Sequence, residues 1–241
     1  MTAYPWLVEI ATSPAGERAL YAFPHAGAGA AAVKKTCRAL ADTFDTVAVR
    51  LPGRESRMSE DPVTDLDALT ARLAEQIAGH AGGRRVYLYG HCAGAVIAYE
   101  VAKRLAPDRL AHLVVSANES PDRMPATAAW RLPRDEFLAK VAADGYLPHE
   151  VLAEPELLEL VEPALRADYQ AIESHEFTLD SVAAPILALL GADERTVAAD
   201  DVAAWASLTS GGFRLETIAG GHNLLLANPA DLAAAIRPLA A

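Results

Sequence analysis

The sequence has few cysteines, no excess of basic residues and no long hydrophobic run. Its 241 residues include only two cysteines, Cys37 and Cys92, without CxxC spacing, which excludes a disulfide framework and predicts two reduced thiols. Lys and Arg number 21 against 32 Asp and Glu, a net charge of −11, so the averaged field repels nucleic acid and anionic lipid. The apolar stretch at 185–190 is far shorter than the roughly 20 residues of a membrane span, and residues 1–10 do not resemble a secretory signal. We therefore expect a soluble, cytoplasmic protein.

What the chain does contain is an alternation of short apolar runs with longer helical patterns. Alternation of this kind is typical of parallel βαβ units, and nearly all-apolar strands are typical of a sheet buried on both faces. The sequence therefore predicts an α/β fold. The predicted strands are Ala19 to Phe23, Thr46 to Arg50, Arg85 to Tyr89, His112 to Ser116, Ile186 to Leu190 and Phe213 to Ile218.

The alternation is interrupted between residues 121 and 179. Apolar residues at helical spacing predict two or more amphipathic helices there, one around Phe137 and Val141 and a longer one from Leu157 to Ile172. We interpret 121–179 as a helical insertion over one end of the sheet, a position that suits a lid, and 1–120 with 180–241 as the core domain. The alternative is that these helices simply extend the core.

A glycine-rich turn carries the first chemical signal. The run GHCAG at 90–94 follows a predicted strand and opens a helix, which is the context of a G-x-S-x-G nucleophile elbow with Cys92 at the serine position. Its glycines allow strand and helix to approach closely, and the helix N-terminus favours negative charge at the sulfur. The alternative is a buried, inert cysteine, which five residues alone do not exclude.

A candidate base and acid follow in the chain order expected of a hydrolase. His222 lies between the last predicted strand and the final helix. The acid is expected just after the strand at 186–190, where Asp193 and Glu194 compete to accept the histidine Nδ1–H. The residues alone leave both open.

A loop of small residues, FPHAGAG at 23–29, follows the first clear strand. Its backbone N–H groups, with the N–H of Ala93, are suited to an oxyanion hole. A dinucleotide-binding interpretation of the loop fails because Ala32 stands where the third glycine is needed. The sequence also has no P-loop and no spaced set of metal ligands, so no metal or organic cofactor is implied.

Together these segments resemble the type II, or discrete, thioesterases that serve polyketide synthases and nonribosomal peptide synthetases, within the α/β-hydrolase superfamily. The resemblance covers nearly the whole chain and implies a mostly parallel central sheet flanked by helices, with a helical lid insertion. The matching segments are FPHAGAG (23–29), LPGRE (51–55), GHCAGA (90–95), ALRADY (164–169), GADERTV (191–197) and GGHNLLL (220–226).

Carried over by position, the resemblance implies Cys92 as nucleophile, His222 as base, and the backbone N–H groups of Ala26 and Ala93 as oxyanion donors. The family's acid position falls on Glu194, which we favour, with Asp193 as the alternative. The family usually has serine and aspartate where this chain has Cys92 and Glu194.

The resemblance implies hydrolysis of acyl or aminoacyl thioesters from the phosphopantetheine arm of carrier proteins, through an acyl-Cys92 intermediate. Because an acyl group on cysteine remains a thioester, the alternative is an acyltransferase that passes the group to another carrier protein or to an amine or hydroxyl, including cyclising release. A non-catalytic scaffold that docks on a carrier protein is a third interpretation.

The expected partner is an acyl or peptidyl carrier protein, and the family implies a monomer. Carrier proteins are usually acidic, so Arg50, Arg54 and Arg57 are candidate docking residues. An ordinary solvated arginine cluster explains them equally well.

Overall fold

The computed structural model describes residues 3–144 and 154–241, and within them seven strands form one sheet. Its spatial order is β1-β3-β2-β4-β5-β6-β7, and every neighbouring pair is parallel except β1 with β3. The α/β prediction is confirmed. The strands are β1 (Leu7–Ala11), β2 (Arg18–Phe23), β3 (Asp45–Val49), β4 (Arg85–His91), β5 (Leu110–Ser116), β6 (Ile186–Gly191) and β7 (Phe213–Ile218).

Helices connect the parallel strands and cover both faces of the sheet. In the described part of the chain they are α1 (Ala30–Ala39), α2 (Leu66–Ala81), α3 (Ala93–Ala102), α4 (Arg134–Ala143), α5 (Pro155–Glu173), α6 (Ala199–Ala203), α7 (Leu224–Ala227) and α8 (Pro229–Ile236). Short 3₁₀ turns lie at Glu55–Arg57, Ala129–Arg131, Ala204–Leu208 and Arg237–Ala240. None of the helices in the described ranges is both long and apolar enough to cross a membrane.

The core is divided by the sheet into two apolar clusters because successive strand residues point to opposite faces. In β2, Tyr21 packs into the cluster that includes α2 and α3, while its neighbour Leu20 packs into the cluster that includes α1 and α8. Both side chains are fully buried, as a strand in the middle of a parallel sheet requires.

The segment between β5 and β6 contains α4 and α5. Phe137 of α4 and Leu165 of α5 are buried, whereas Leu157 and Leu160 near the start of α5 remain exposed. Of the apolar face predicted for this long helix, therefore, mainly the second half is buried. Residues 145–153 of the predicted insertion lie outside the described residues.

The topology determines where a site can form. The carboxyl ends of parallel strands lie at one edge of a sheet, where ligands bind in open α/β folds. Here β2, β4, β6 and β7 each end at that edge, and their following loops carry 24–29, Cys92, 193–194 and His222.

Candidate active site

Cys92 occupies a strained turn between β4 and α3. Its φ is +52° and its ψ is −128°, a conformation that L-residues rarely adopt. Its N–H donates to the carbonyl of Ser116 on β5 at 2.8 Å, which fixes the turn against the sheet. A Cβ on Gly90 would lie 2.2 Å from the carbonyl oxygen of Gly94, and one on Gly94 would lie 2.3 Å from that of Phe23. Both glycines are therefore required by close backbone packing.

His222 and Glu194 meet across the loops that follow β7 and β6. His222 Nδ1 lies 2.9 Å from Glu194 Oε2 and 2.9 Å from the hydroxyl oxygen of Thr196. The second carboxylate oxygen of Glu194 accepts hydrogen bonds from the backbone N–H of Arg195 and from the backbone and hydroxyl of Thr196. Asp193 is exposed, so the structure brings Glu194 rather than Asp193 to the histidine.

These contacts shift the charge states of both partners. Burial opposes ionisation of Glu194, but hydrogen bonds from His222 and Thr196 outweigh it and lower the pKa of Glu194 to about 2. Burial likewise disfavours protonated His222, but hydrogen bonding to Cys92 and Glu194, with their negative charges, raises the pKa of His222 to about 10. The arrangement therefore favours a protonated imidazole between the sulfur and the carboxylate.

Two further histidines lie close to this group. The ring of His91 is 5.9 Å from that of His222 and 6.4 Å from that of His25. His91 is buried, and its Nδ1 lies 2.8 Å from the hydroxyl of Ser116. Burial is the main cause that holds the pKa of His91 well below its usual range, and the neighbouring His25 and His222 lower it further. The neutral form of the His91 imidazole is therefore favoured. The sequence gives no reason to assign His91 to the site.

A cavity of about 90 Å³ opens at Cys92. Ala26 and Ala93, the expected oxyanion donors, both line it, which places the two loops beside the sulfur. Its apolar lining also includes Val96, Met124 and Ile172. Among the described residues, no three His, Cys, Asp or Glu side chains are arranged so that they could hold a metal ion.

The cavity has polar lining that sequence reasoning missed. These side chains are Asn118, Glu119, Thr127, Lys140, Asp144, Tyr169 and Glu173. Lys140 pairs with Asp144 at 2.7 Å, and Glu173 accepts hydrogen bonds from Thr127 and from the backbone of Trp130. Burial raises the pKa of Glu119. All seven lie in the segment between β5 and β6, and only the arrangement of strands and helices shows that they line the cavity.

The predicted docking role is wrong for two of the three arginines. Arg54 is 5% exposed and pairs with Asp168, while Arg57 is 7% exposed and pairs with Glu60. Side chains buried in ion pairs cannot present a basic surface to a carrier protein.

Comparisons with known proteins agree on one family. The thioesterase domain model matches residues 18–239. The chain is 30% identical over 227 residues to the probable cadicidin biosynthesis thioesterase of Streptomyces griseus, covering 93% of this chain and 63% of that protein. The chain thus spans less than two thirds of that relative.

Two further proteins are similar over most of their length. The gramicidin S biosynthesis protein GrsT of Aneurinibacillus migulanus is 28% identical over 225 residues, which cover 91% of this chain and 88% of GrsT. Among solved structures, the type II thioesterase BorB from the borrelidin biosynthetic cluster superposes with a TM-score of 0.88 at 30% identity, over 100% of both chains.

Proposed function

Because the chain belongs to the thioesterase domain family, with the α/β-hydrolase fold, we propose that it removes acyl or aminoacyl groups from the phosphopantetheine arm of carrier proteins in polyketide or nonribosomal peptide biosynthesis. The observation that carries this proposal is the contact of Cys92, on a nucleophile elbow, with the His222–Glu194 pair beside a cavity. A cytoplasmic, monomeric enzyme without metal or organic cofactor is part of the proposal.

In the first half-reaction the Cys92 thiolate attacks the thioester carbonyl carbon of the substrate. The backbone N–H groups of Ala26 and Ala93 stabilise the oxyanion that forms. As the tetrahedral intermediate collapses, the bond to the pantetheine sulfur breaks and His222 donates its proton to the departing thiolate. Glu194 holds the imidazole in position and stabilises its charge.

In the second half-reaction a water molecule attacks the acyl-Cys92 thioester. Neutral His222 takes a proton from the water as the new C–O bond forms. The C–S bond then breaks, which releases the carboxylic acid and restores the Cys92 thiolate beside protonated His222. Residues 121–179 serve as the lid that covers the acyl group.

The polar lining of the cavity supports aminoacyl groups as substrates. The described residues that line it include three carboxylates, Glu119, Asp144 and Glu173, but a single cationic side chain, Lys140. A protonated amine on the acyl group would offset the cost of keeping the Glu119 carboxylate partly buried. Aminoacyl thioesters should therefore be turned over faster than acyl thioesters of equal length, and Glu119→Gln should reduce that preference.

The second candidate function is acyl transfer, and it rests on the identity of the nucleophile. Serine would convert the substrate to an oxyester, whereas Cys92 keeps it a thioester of similar energy. The acyl group can then pass to a second carrier thiol or to an amine or hydroxyl at little thermodynamic cost.

Intact-mass spectrometry separates these functions. The protein is mixed with an acylated carrier protein, with and without an unloaded acceptor carrier, and compared with Cys92→Ala. Free acid formed at the same rate in both mixtures, and only with the wild-type protein, supports the thioesterase. An acyl-Cys92 adduct that discharges only when the acceptor is added supports the transferase. Absence of any adduct or product contradicts both.

A further inference from the structure

A buried ion pair joins helix α5 to the loop after β3. Arg54 Nη1 and Nη2 donate to the two carboxylate oxygens of Asp168, each at 2.8 Å. The side chains are 6% and 3% exposed, and 114 residues separate them in sequence. Two parallel charge-assisted hydrogen bonds fix the Arg54 guanidinium and the Asp168 carboxylate relative to each other. A carboxylate fixed in this way can hold a third group in position.

Asp168 has a third partner, the loop that follows β2. The backbone N–H of Gly27 donates to Asp168 Oδ2 at 2.8 Å, and Arg54 Nη1 donates to the carbonyl of Ala28 at 3.1 Å. Gly27 has a φ of +72°, and a Cβ there would lie 3.1 Å from the Cβ of Leu165 on α5. The loop is therefore both hydrogen-bonded to the helix and packed directly against it.

The same contacts fix the peptide group between Ala26 and Gly27 at both ends. Its N–H is held by Asp168, and its carbonyl oxygen accepts a hydrogen bond from His25 Nδ1 at 3.0 Å. Because a peptide group is planar and rigid, holding both ends fixes the Cα of Ala26 as well. The Ala26 nitrogen is bonded to this Cα, so its N–H can be re-aimed only by rotation about the two backbone bonds of Ala26.

We propose that Asp168, held by Arg54, is a positioning residue through which helix α5 keeps the Ala26 N–H aimed at the oxyanion. The inference rests on the proposed function, in which Ala26 is an oxyanion donor. His25 has the same positioning role, because it holds the carbonyl end of the same peptide group. The packing of α5 over the site and the stabilisation of the oxyanion are then coupled, because the Asp168 carboxylate takes part in both.

Two matched double variants isolate the hydrogen bond to Gly27 from the ion pair. Arg54→Met/Asp168→Leu removes the charges and the acceptor for the Gly27 N–H. Arg54→Met/Asp168→Asn removes the charges but keeps an amide oxygen as acceptor. Replacing both partners of a buried ion pair avoids leaving one charge unpaired.

Two reactions of Cys92 serve as readouts. Acylation by an acyl-pantetheine thioester, measured as single-turnover adduct formation, passes through an oxyanion. Alkylation by iodoacetamide forms a C–S bond and expels iodide without an oxyanion, so it reports only the thiolate and His222. Loss of one oxyanion donor lowers rates by about 10²–10³, so partial misplacement is expected to cost about tenfold to a hundredfold.

The expected result is that the Leu variant acylates about tenfold to a hundredfold more slowly, that the Asn variant recovers most of this loss, and that both alkylate within about twofold of wild type. The inference is overturned if the Leu variant acylates at the wild-type rate, or if acylation and alkylation fall together in it. It is also overturned if the Asn variant is as slow as the Leu variant.

A wild-type measurement covers the case in which the Leu variant does not fold. Hydrogen exchange of the Gly27 amide should be slowed by at least about a hundredfold relative to an unstructured peptide, and exchange at the unstructured rate would overturn the inference. Failure of the proposed function is recognised separately, because wild-type Cys92 would then be alkylated but never acylated. Normal wild-type acylation with an unaffected Leu variant overturns the positioning role alone.

Discussion

The two cysteines of this chain are equally inaccessible but stand in very different surroundings. Cys37 lies inside helix α1 and is 0% exposed, and Cys92 at the elbow is 2% exposed. Cys37 packs among apolar side chains such as Val33 and Leu40, where burial raises the pKa of its thiol to about 12. Cys92 instead contacts His222, whose proton and charge are maintained by Glu194.

The comparison shows that burial alone does not decide whether a thiol reacts. An apolar surrounding keeps the Cys37 thiol neutral, whereas Cys92 has beside it an imidazole that can exchange a proton with the sulfur and is itself held by a carboxylate. A helix contributes in different ways at the two sites. Cys37 lies within a helix, while Cys92 lies at a helix N-terminus, where the peptide dipoles favour negative charge.

The largest expected effect comes from deleting one thiol at a time, which tests the difference between Cys37 and Cys92. Cys92→Ala should lower thioester turnover by at least about 10⁴-fold, since the nucleophile is lost. Cys37→Ala should leave turnover within about twofold, because no described contact joins Cys37 to the site. Turnover of an acyl-pantetheine thioester, followed by thiol release, measures both. Substantial turnover by Cys92→Ala would remove Cys92 from the proposed mechanism.

The next effect tests the carboxylate that distinguishes the surroundings of Cys92. Glu194→Gln should lower turnover by about 10²–10⁴-fold, because a neutral amide neither stabilises protonated His222 nor fixes its tautomer. The adjacent Asp193→Asn is the matched control and should change turnover less than about threefold, since Asp193 is exposed. The opposite ranking of the two variants would assign the acid role to Asp193.

A pH experiment sharpens the comparison through stability. The pKa of His222 is raised from 6.5 to about 10, so its contacts stabilise the folded state fully below about pH 6.5 and progressively less as pH rises toward 10. The free energy of unfolding should therefore fall on the order of a few kcal/mol between pH 7 and 10 in the wild type. Denaturant titrations should show a smaller fall in His222→Gln than in the wild type. A fall in His222→Gln as large as that of the wild type would show that His222 does not contribute to the loss of stability at alkaline pH.

Much of the sheet could be predicted because its signals are local. Most of the strands from β2 to β6 are nearly all apolar, β7 alternates apolar and polar residues, and the structure confirms each predicted strand within two residues at either end. Strand β1 was missed because Leu7–Ala11 lies at the antiparallel edge, where its burial is incomplete and its apolar pattern is weak. The elbow glycines were equally readable, since their requirement is set by immediate chain neighbours and the strand beside them.

The site could be predicted only as far as such local signals reach. Sequence order identifies the loop that carries the acid but not which carboxylate turns inward. The choice depends on a turn in which Glu194 N–H donates to Gly191 and Asp193 N–H donates to Gly220 of the next loop. Arg54 was expected at the surface because the sequence does not show its partner, Asp168, which is 114 residues away. Interactions between distant segments leave no trace in spacing or composition.

The smallest expected effect concerns Cys37 alone. Cys37→Ala removes a fully buried sulfur from a well-packed cluster, which should lower the free energy of unfolding by about 1 kcal/mol through lost contacts and a small cavity. The buried thiol also resists ionisation, with a pKa raised from 9.0 to about 12, so the wild type loses stability above about pH 9, where the unfolded thiol ionises and the folded one does not. Cys37→Ala lacks this thiol, so its loss of stability relative to wild type should be largest at pH 7 and should shrink at pH 10, as measured by denaturant titration at both values. A loss of the same size at both pH values would show that the Cys37 thiol ionises as readily in the folded protein as in the unfolded chain, and the contrast between a thiol kept neutral by burial and one paired with His222 would then fail.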